Sequence, residues 1–257
     1  MNILSRQACD NESTFASEIV TFEGGLRLFS KRHDPGISCR YGYRRGVAFE
    51  AEVYRRILQP LGVTVPRFHG YAAGELLLEY LEAAARVSRA EDPRAMAEAA
   101  RWIGEFQRCA PLADWLPRYD IGFYRGWAER AIRFGVFSDL AGQFERACEL
   151  LAGAPVTMIH GEYYPANVLY RDGVVSPVDW ESAAIGPGEI DLASLTDGWP
   201  EETVRDCEQA YGRGTPEVLA AARVYTQLRW LGDRPEWTGD PENTWRIERL
   251  RRDCDRL

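Results

Sequence analysis

Met158-Ile159-His160-Gly161-Glu162-Tyr163-Tyr164-Pro165-Ala166-Asn167-Val168-Leu169-Tyr170, then Arg171-Asp172-Gly173, then Val174-Val175-Ser176-Pro177-Val178-Asp179-Trp180-Glu181, is the stretch that decides the reading of this chain. Glu162 is followed five positions later by Asn167, and Asp179 comes twelve positions after that. Val168-Leu169-Tyr170 and Val174-Val175-Ser176 are short β-prone runs on either side of Arg171-Asp172-Gly173, a strong tight-turn signal, so they predict a hairpin. Folding the second strand back on the first carries Asp179 toward Asn167. One amide oxygen and one carboxylate then suit a hard cation such as Mg2+, which completes its octahedron with phosphate oxygens and water. Upstream of that pair, Glu162 supplies an acid able to orient and deprotonate a hydroxyl.

The composition contains a second signal. Of 31 basic residues only Lys31 is a lysine. A chain that uses arginine so freely and keeps one lysine points to a task that a planar guanidinium does badly. A compact ammonium on a flexible stem suits a grip on nucleotide phosphates. Glu18-Ile19-Val20-Thr21-Phe22, Glu23-Gly24-Gly25 and Leu26-Arg27-Leu28-Phe29-Ser30-Lys31 read as a hairpin with Lys31 closing its second strand.

At 257 residues, 46% hydrophobic and 27% charged, the chain has the composition of a soluble globule with a substantial core. A net charge of −8 argues against nucleic acid as a partner, because phosphate backbones call for a basic face. It admits a cationic small molecule without requiring one. No apolar run approaches a membrane span. The six cysteines (Cys9, Cys39, Cys109, Cys148, Cys207, Cys254) form no C-x-x-C pair and read as reduced thiols of a cytoplasmic protein. His33, His69 and His160 are too scattered to suggest zinc.

Along the chain a β-rich lobe over residues 1–82 precedes a helical lobe over 83–257, an α+β arrangement. The first lobe holds the Lys31 hairpin. A helix follows over about Gly46 to Leu58, with Phe49, Val53, Ile57 and Leu58 at helical spacing, and is stopped by Pro60 and Gly62. Strands over 65–71 and 76–81 complete the lobe. Helical periodicity then marks 95–106, 126–137, 140–151, 201–211, 216–230 and 244–256.

With these elements in place, the chain resembles the aminoglycoside phosphotransferase and choline kinase family, small-molecule kinases with a bilobal, protein-kinase-like fold. The resemblance rests on His160-Gly161-Glu162, Asn167, Val178-Asp179-Trp180-Glu181 and Asp191-Leu192-Ala193, in order and at suitable spacing. It implies a phosphotransferase that uses ATP and Mg2+ to phosphorylate a hydroxyl of a small molecule, aminoglycoside-, choline- or secondary-metabolite-like and in some cases cationic. It implies that Lys31 contacts ATP phosphates and pairs with a carboxylate of the next helix, Glu50 being the choice and Glu52 the alternative. The backbone from Glu79 to Leu81 would receive adenine, Asn167 and Asp179 would bind the metal, and Asp191 would brace the catalytic loop. The phosphate-covering loop has no glycine-rich signature, and only Cys9 to Phe15, with Ser13 and Thr14, offers donors there.

One departure stands out. The family carries aspartate where this chain has Glu162. The glutamate is one methylene longer, and a misplacement of about an ångström can cost on the order of a hundredfold in rate. Either the loop is built around glutamate and works, or the chain is a catalytically degenerate nucleotide- or metabolite-binding protein. Retention of Lys31, Asn167 and Asp179 favours the first. A nucleotidyl transferase or protein kinase of the same fold is a further alternative. His160 reads as a buried structural residue. Tyr163 and Tyr164 divide between the acceptor pocket and packing, and Glu181, two positions past Asp179 on a strand, between steering the metal or a substrate amine and a salt bridge. Asp197, Trp199, Asp233, Glu236, Trp237, Asp240 and Glu242 form an acidic and aromatic set that would suit an amine by cation–π contact, or a solvated helical surface. The acceptor and the oligomeric state stay open.

Overall fold

The computed structural model describes residues 2–9, 15–32, 44–135 and 137–257. Ser13, Thr14, His33 and Cys39 lie outside the described residues. The chain packs as two compact units, Met1–Glu91 with Ala166–Ser182, and Asp92–Pro165 with Ala183–Leu257.

The first unit is built on a five-stranded antiparallel sheet. Its strands are β1 (Ile3–Ala8), β2 (Ala16–Phe22), β3 (Arg27–Arg32), β4 (Phe68–Ala72) and β5 (Glu75–Glu79), in the order β1-β2-β3-β5-β4. The expected hairpin is β2–β3, with Ser17 opposite Lys31 and Val20 opposite Leu28. Gly24 and Gly25 turn it with φ of 87° and 83°. β3 and β5 are interior strands of this sheet, and Val20, Leu28, Leu76 and Leu78 are buried in it. Although Leu76 to Leu81 reads as an almost wholly apolar run, burial along β5 alternates.

A continuous helical run follows the sheet's first three strands: α1 (Gly46–Val53), a π turn (Tyr54–Leu58) and α2 (Gln59–Leu61). It passes three residues beyond the expected end at Leu58 and closes at Gly62, in the left-handed conformation at φ 66°. Pro60 lies inside it, removing an N–H from the last turn. β6 (Ala85–Arg86), β8 (Val168–Arg171) and β9 (Val174–Pro177) make a second small sheet, ordered β6-β8-β9. The pairing of β6 with β8 draws Ala166–Ser182 into this unit, whereas the division read from sequence at residue 82 leaves that segment with the helices.

The second unit is helical. It contains α3 (Ala95–Cys109), α4 (Ile121–Phe134), α5 (Ala141–Gly153), α6 (Glu189–Leu195), α7 (Glu201–Tyr211), α8 (Pro216–Asp233) and α9 (Thr244–Cys254), with a two-stranded pair of β7 (Thr157–Ile159) and β10 (Ala184–Gly186). Helix α8 is its axis and packs against α4, α5, α6 and α9. Thr215 caps α8, its hydroxyl accepting from the Val218 amide, with Pro216 at the first turn. Helix α4 starts five residues before the expected 126 because Asp120 caps it, accepting from the Phe123 amide at 2.8 Å. Gly104 lets α3 lie against α7: a Cβ there would stand 2.7 Å from the Tyr211 carbonyl oxygen. No helix among the described residues is long and apolar enough to cross a membrane.

Candidate active site

In the first unit the chemistry gathers on Lys31. β3 delivers its side chain to an interior only 4% exposed, where the ammonium donates to Glu50 Oε2 at 2.7 Å and also to Asp179 Oδ1. Nζ lies 5.0 Å from the centre of the Phe15 ring. The other oxygen of Glu50 accepts from the Trp180 amide at 3.1 Å, so one carboxylate ties helix α1, strand β3 and the segment after β9 together. Glu52, the alternative partner, instead pairs with Arg55 at 2.6 Å in a partly exposed position.

Burial alone would push the Lys31 ammonium down, but the carboxylates of Asp179, Glu50 and Glu181 more than reverse this and hold it above the ordinary lysine range. Burial raises the Glu50 carboxyl, Lys31 opposes it, and the Asp179 charge adds to the rise. Lys31 is thus shared by two acids, Glu50 and Asp179, with Glu181 close enough to add to the field, and all three offer hard oxygen donors.

The expected hairpin carries Asn167 and Asp179. β8 and β9 pair with Val168 opposite Pro177 and Arg171 opposite Val174, turned by Asp172 and Gly173 with φ of 52° and 83°. Two consecutive positive φ values are what a two-residue turn of this hand demands, and Asp-Gly supplies them. The pairing continues past the strand end: the Val178 amide donates to the Asn167 carbonyl at 2.9 Å, placing Asp179 one residue from Asn167's partner. Asp179 itself has φ 70°, strained for a non-glycine residue. β9 ends at Pro177, so Glu181 does not lie on a strand facing the way Asp179 does, contrary to the expectation from its spacing. Trp180–Ser182 is instead a 3-10 turn, with Trp180 fully buried and Glu181 Oε1 at 4.0 Å from Arg44 Nε. Further along the sheet, the Glu79 amide donates to the Arg67 carbonyl at 2.8 Å, and the Leu81 carbonyl accepts from Ala84 at 3.3 Å.

In the second unit a buried carboxylate organises the loop after β7. Asp191, fully buried on α6, accepts from the His160 amide at 2.8 Å, the Gly161 amide at 2.9 Å and Gln107 Nε2 at 3.0 Å. Tyr211 orients that glutamine by donating to its Oε1 at 2.6 Å. Burial pushes the Asp191 carboxyl up to about 7, against the pull of its three donors. Gly161 adopts φ 82°, which lets consecutive amides converge on the carboxylate. His160 is fully buried, and its Nδ1 accepts from the Glu162 amide at 3.3 Å, in keeping with its structural reading. Tyr163 packs: it is buried and donates to the Ala99 carbonyl at 2.9 Å.

Glu162 is 2% exposed, and Arg229 of α8, 4% exposed, stands against it with Nη2 at 3.4 Å from Oε1. The same guanidinium donates to the Gly161 carbonyl and the Tyr164 hydroxyl. The sequence reading missed Arg229, together with Gln107 and Tyr211. The available signal was a lone charge in Leu228-Arg229-Trp230, within a stretch of α8 that is otherwise buried.

The acidic and aromatic set near the C-terminus also has an occupant. The Arg246 guanidinium lies 4.9, 5.3 and 4.3 Å from the ring centres of Trp230, Trp237 and Trp245, and donates to Asp197 Oδ2 at 2.8 Å. The cation held by this part of the set is the protein's own arginine.

Similarity to known proteins agrees with this geometry. The structure is similar to the choline kinase LicA from Streptococcus pneumoniae (TM-score 0.72, 15% identity, 100% of this chain and 94% of that one), also solved in complex with AMP. It is similar to a putative fructosamine-3-kinase from Thermobifida fusca YX-ER1 (0.70, 18%, 100% and 95%). It also resembles an aminoglycoside phosphotransferase from Alicyclobacillus acidocaldarius subsp. acidocaldarius DSM 446 (0.63, 17%, 99% and 89%). At such identities these likenesses speak for the fold, the α+β fold of protein-kinase-like small-molecule kinases. A search of curated protein sequences finds no match. The sequence over residues 16–231 matches the family described as the phosphotransferase enzyme family, APH, and the chain belongs to that family and is a kinase.

Proposed function

We propose that this kinase uses ATP and magnesium to phosphorylate a hydroxyl of a small molecule. The observation that carries the reading is the setting of Lys31: the one lysine of the chain is buried between Glu50 and Asp179, with Glu181 adding a third negative charge. Glu181 has Arg44 at 4.0 Å, but Glu50 and Asp179 share the one ammonium of Lys31, so the surroundings favour a further cation, and Asp179 with Asn167 offers the hard oxygens magnesium takes. Bound there, the metal would neutralise charge on the triphosphate.

The chain's own residues then have separate tasks. Glu50 fixes Lys31, which grips phosphate oxygens as a point charge. Because the Glu79 amide is already bonded to Arg67, Leu81 is the better backbone donor for adenine. Asp191 fixes the backbone of His160 and Gly161, and with it the position of Glu162. Glu162 orients the acceptor hydroxyl and takes its proton late, as the oxygen bonds to the γ-phosphorus and the bond to ADP breaks. A cytoplasmic setting, where its thiols stay reduced, belongs to the same reading.

The test is thermal. MgATP should raise the melting temperature, because a ligand that binds only the folded state stabilises it. A screen of hydroxyl-bearing amines, sugars and aminoglycosides for ATP consumption would then find the acceptor class. An unchanged melting curve at millimolar MgATP would dismiss the proposal.

A further inference from the structure

Glu162 stands where the family has aspartate, and it is buried. A buried carboxylate needs hydrogen-bonding partners of its own, and one that points the wrong way cannot orient a hydroxyl. It also has one more rotatable bond than aspartate, hence more ways to miss. Both difficulties need an answer from the surrounding residues.

We infer that Arg229 is the positioning residue of Glu162: its guanidinium holds the carboxylate aimed, and this lets the loop work with glutamate. This rests on the proposed function and deepens it. Three observations support it. Arg229 is itself 4% exposed on α8, the axis of the helical unit, so it is anchored rather than waving from the surface. Its fork engages Glu162 Oε1 at 3.4 Å, the carbonyl of Gly161 and the hydroxyl of Tyr164. A planar guanidinium can hold three acceptors in fixed directions, which an ammonium cannot. The three acceptors belong to residues 161, 162 and 164, so a single side chain fixes the loop backbone and its acid together. Tyr164 is held in turn against Trp230, ring centres 5.1 Å apart, the residue next to Arg229.

Around Arg229 and Glu162 stand Tyr119, Tyr225 and His160, whose Nδ1 accepts from the Glu162 amide, and Tyr225 is also bonded to Arg229. Arg229 touches neither nucleotide nor acceptor in this scheme and acts through Glu162 and the loop that carries it.

The test is a double-mutant cycle on MgATP hydrolysis, with water as acceptor, using Arg229→Gln, Glu162→Gln and the pair. Arg229→Gln should lower kcat about thirtyfold or more while the KM for ATP stays within about twofold, and should cost less than about threefold in the Glu162→Gln background. Arg229→Lys, which keeps a cation but loses the fork, should fall between and serves if the glutamine variant does not fold. Additive losses in the cycle would overturn the inference while leaving the proposed function standing. A wild type that neither binds nor hydrolyses MgATP would remove both.

Discussion

Lys31 and Glu50 form a buried ion pair at 2.7 Å that links an interior strand of the sheet to the first helix, and Glu50's second oxygen holds the Trp180 amide beside Asp179. Buried pairs of this kind contribute little when weighed against apolar replacements, but removing one partner is costly because the other charge is stranded. Glu50→Ala should therefore destabilise the protein by about 3 kcal/mol, the low end of the usual range because Asp179 still faces the ammonium. Glu52→Ala, in a partly exposed pair with Arg55, should cost less than about 1 kcal/mol. Urea denaturation of the two variants separates them. Lys31→Arg should fold but turn over ATP poorly, since a broad fork replaces a point charge.

Asp179 joins two features that separate variants can resolve. Its carboxylate is the proposed magnesium ligand, and its backbone sits at φ 70°. Asp179→Asn keeps a side chain tolerant of that conformation and should fold nearly as well as the wild type, while losing most of the magnesium-dependent part of the MgATP melting shift. Asp179→Gly relieves the strain and should lose the same shift. A full magnesium-dependent shift in either variant would take the metal away from Asp179.

Asp191 gives a pH signature. Burial raises its carboxyl in the folded protein to about 7, against an ordinary 3.8. Between those values the folded state binds more protons than the unfolded state, so this group's contribution to stability is full at low pH and is lost as pH rises through about 7. Asp191→Asn cannot titrate. The wild type should therefore lose stability relative to Asp191→Asn as pH goes from 5 to 8, whatever the absolute cost of the substitution. Parallel stability curves for the two proteins would rule out an uncommonly basic Asp191.

What could be read in the sequence depended on whether a local rule or a rare residue marked it. Asp172-Gly173 announced its turn because few residues tolerate two positive φ values in succession, and α7 was legible to the residue from its periodicity. Lys31 was conspicuous because lysine is otherwise missing. Arg229 was hidden for the opposite reason: it is one arginine among many, its place between Leu228 and Trp230 is a weak signal, and only folding shows that it is buried against Glu162. Strand β1 was missed because an edge strand exposed along its whole length need not alternate, and Ile3–Ala8 does not. The 3-10 turn at Trp180–Ser182 could not be inferred either, since it follows from the reversal at Asp179, where nothing in the residue types demands a positive φ. The acid and tryptophan composition near the C-terminus left a cation site and a solvated surface open, and composition could not show that Arg246 lies there against Trp230, Trp237 and Trp245.

Glu162 is where this chain departs from its family, and two substitutions there have different consequences. Glu162→Gln keeps the shape and removes the ability to accept a proton, so kcat should fall by about a hundredfold or more while MgATP still raises the melting temperature, the lysine and metal-site residues being untouched. Glu162→Asp restores the family residue but withdraws the carboxylate by about an ångström from Arg229, which is anchored on α8 and cannot follow. In a loop built around glutamate that variant should be slower than the wild type, and lengthening Arg229's reach is not available as a remedy because arginine is already the longest cation in the repertoire. A chain that had lost catalysis through the same substitution would behave in the reverse way, gaining turnover when aspartate returns. Wild-type turnover in Glu162→Gln would refute the role assigned to this residue, whichever way the aspartate variant moves.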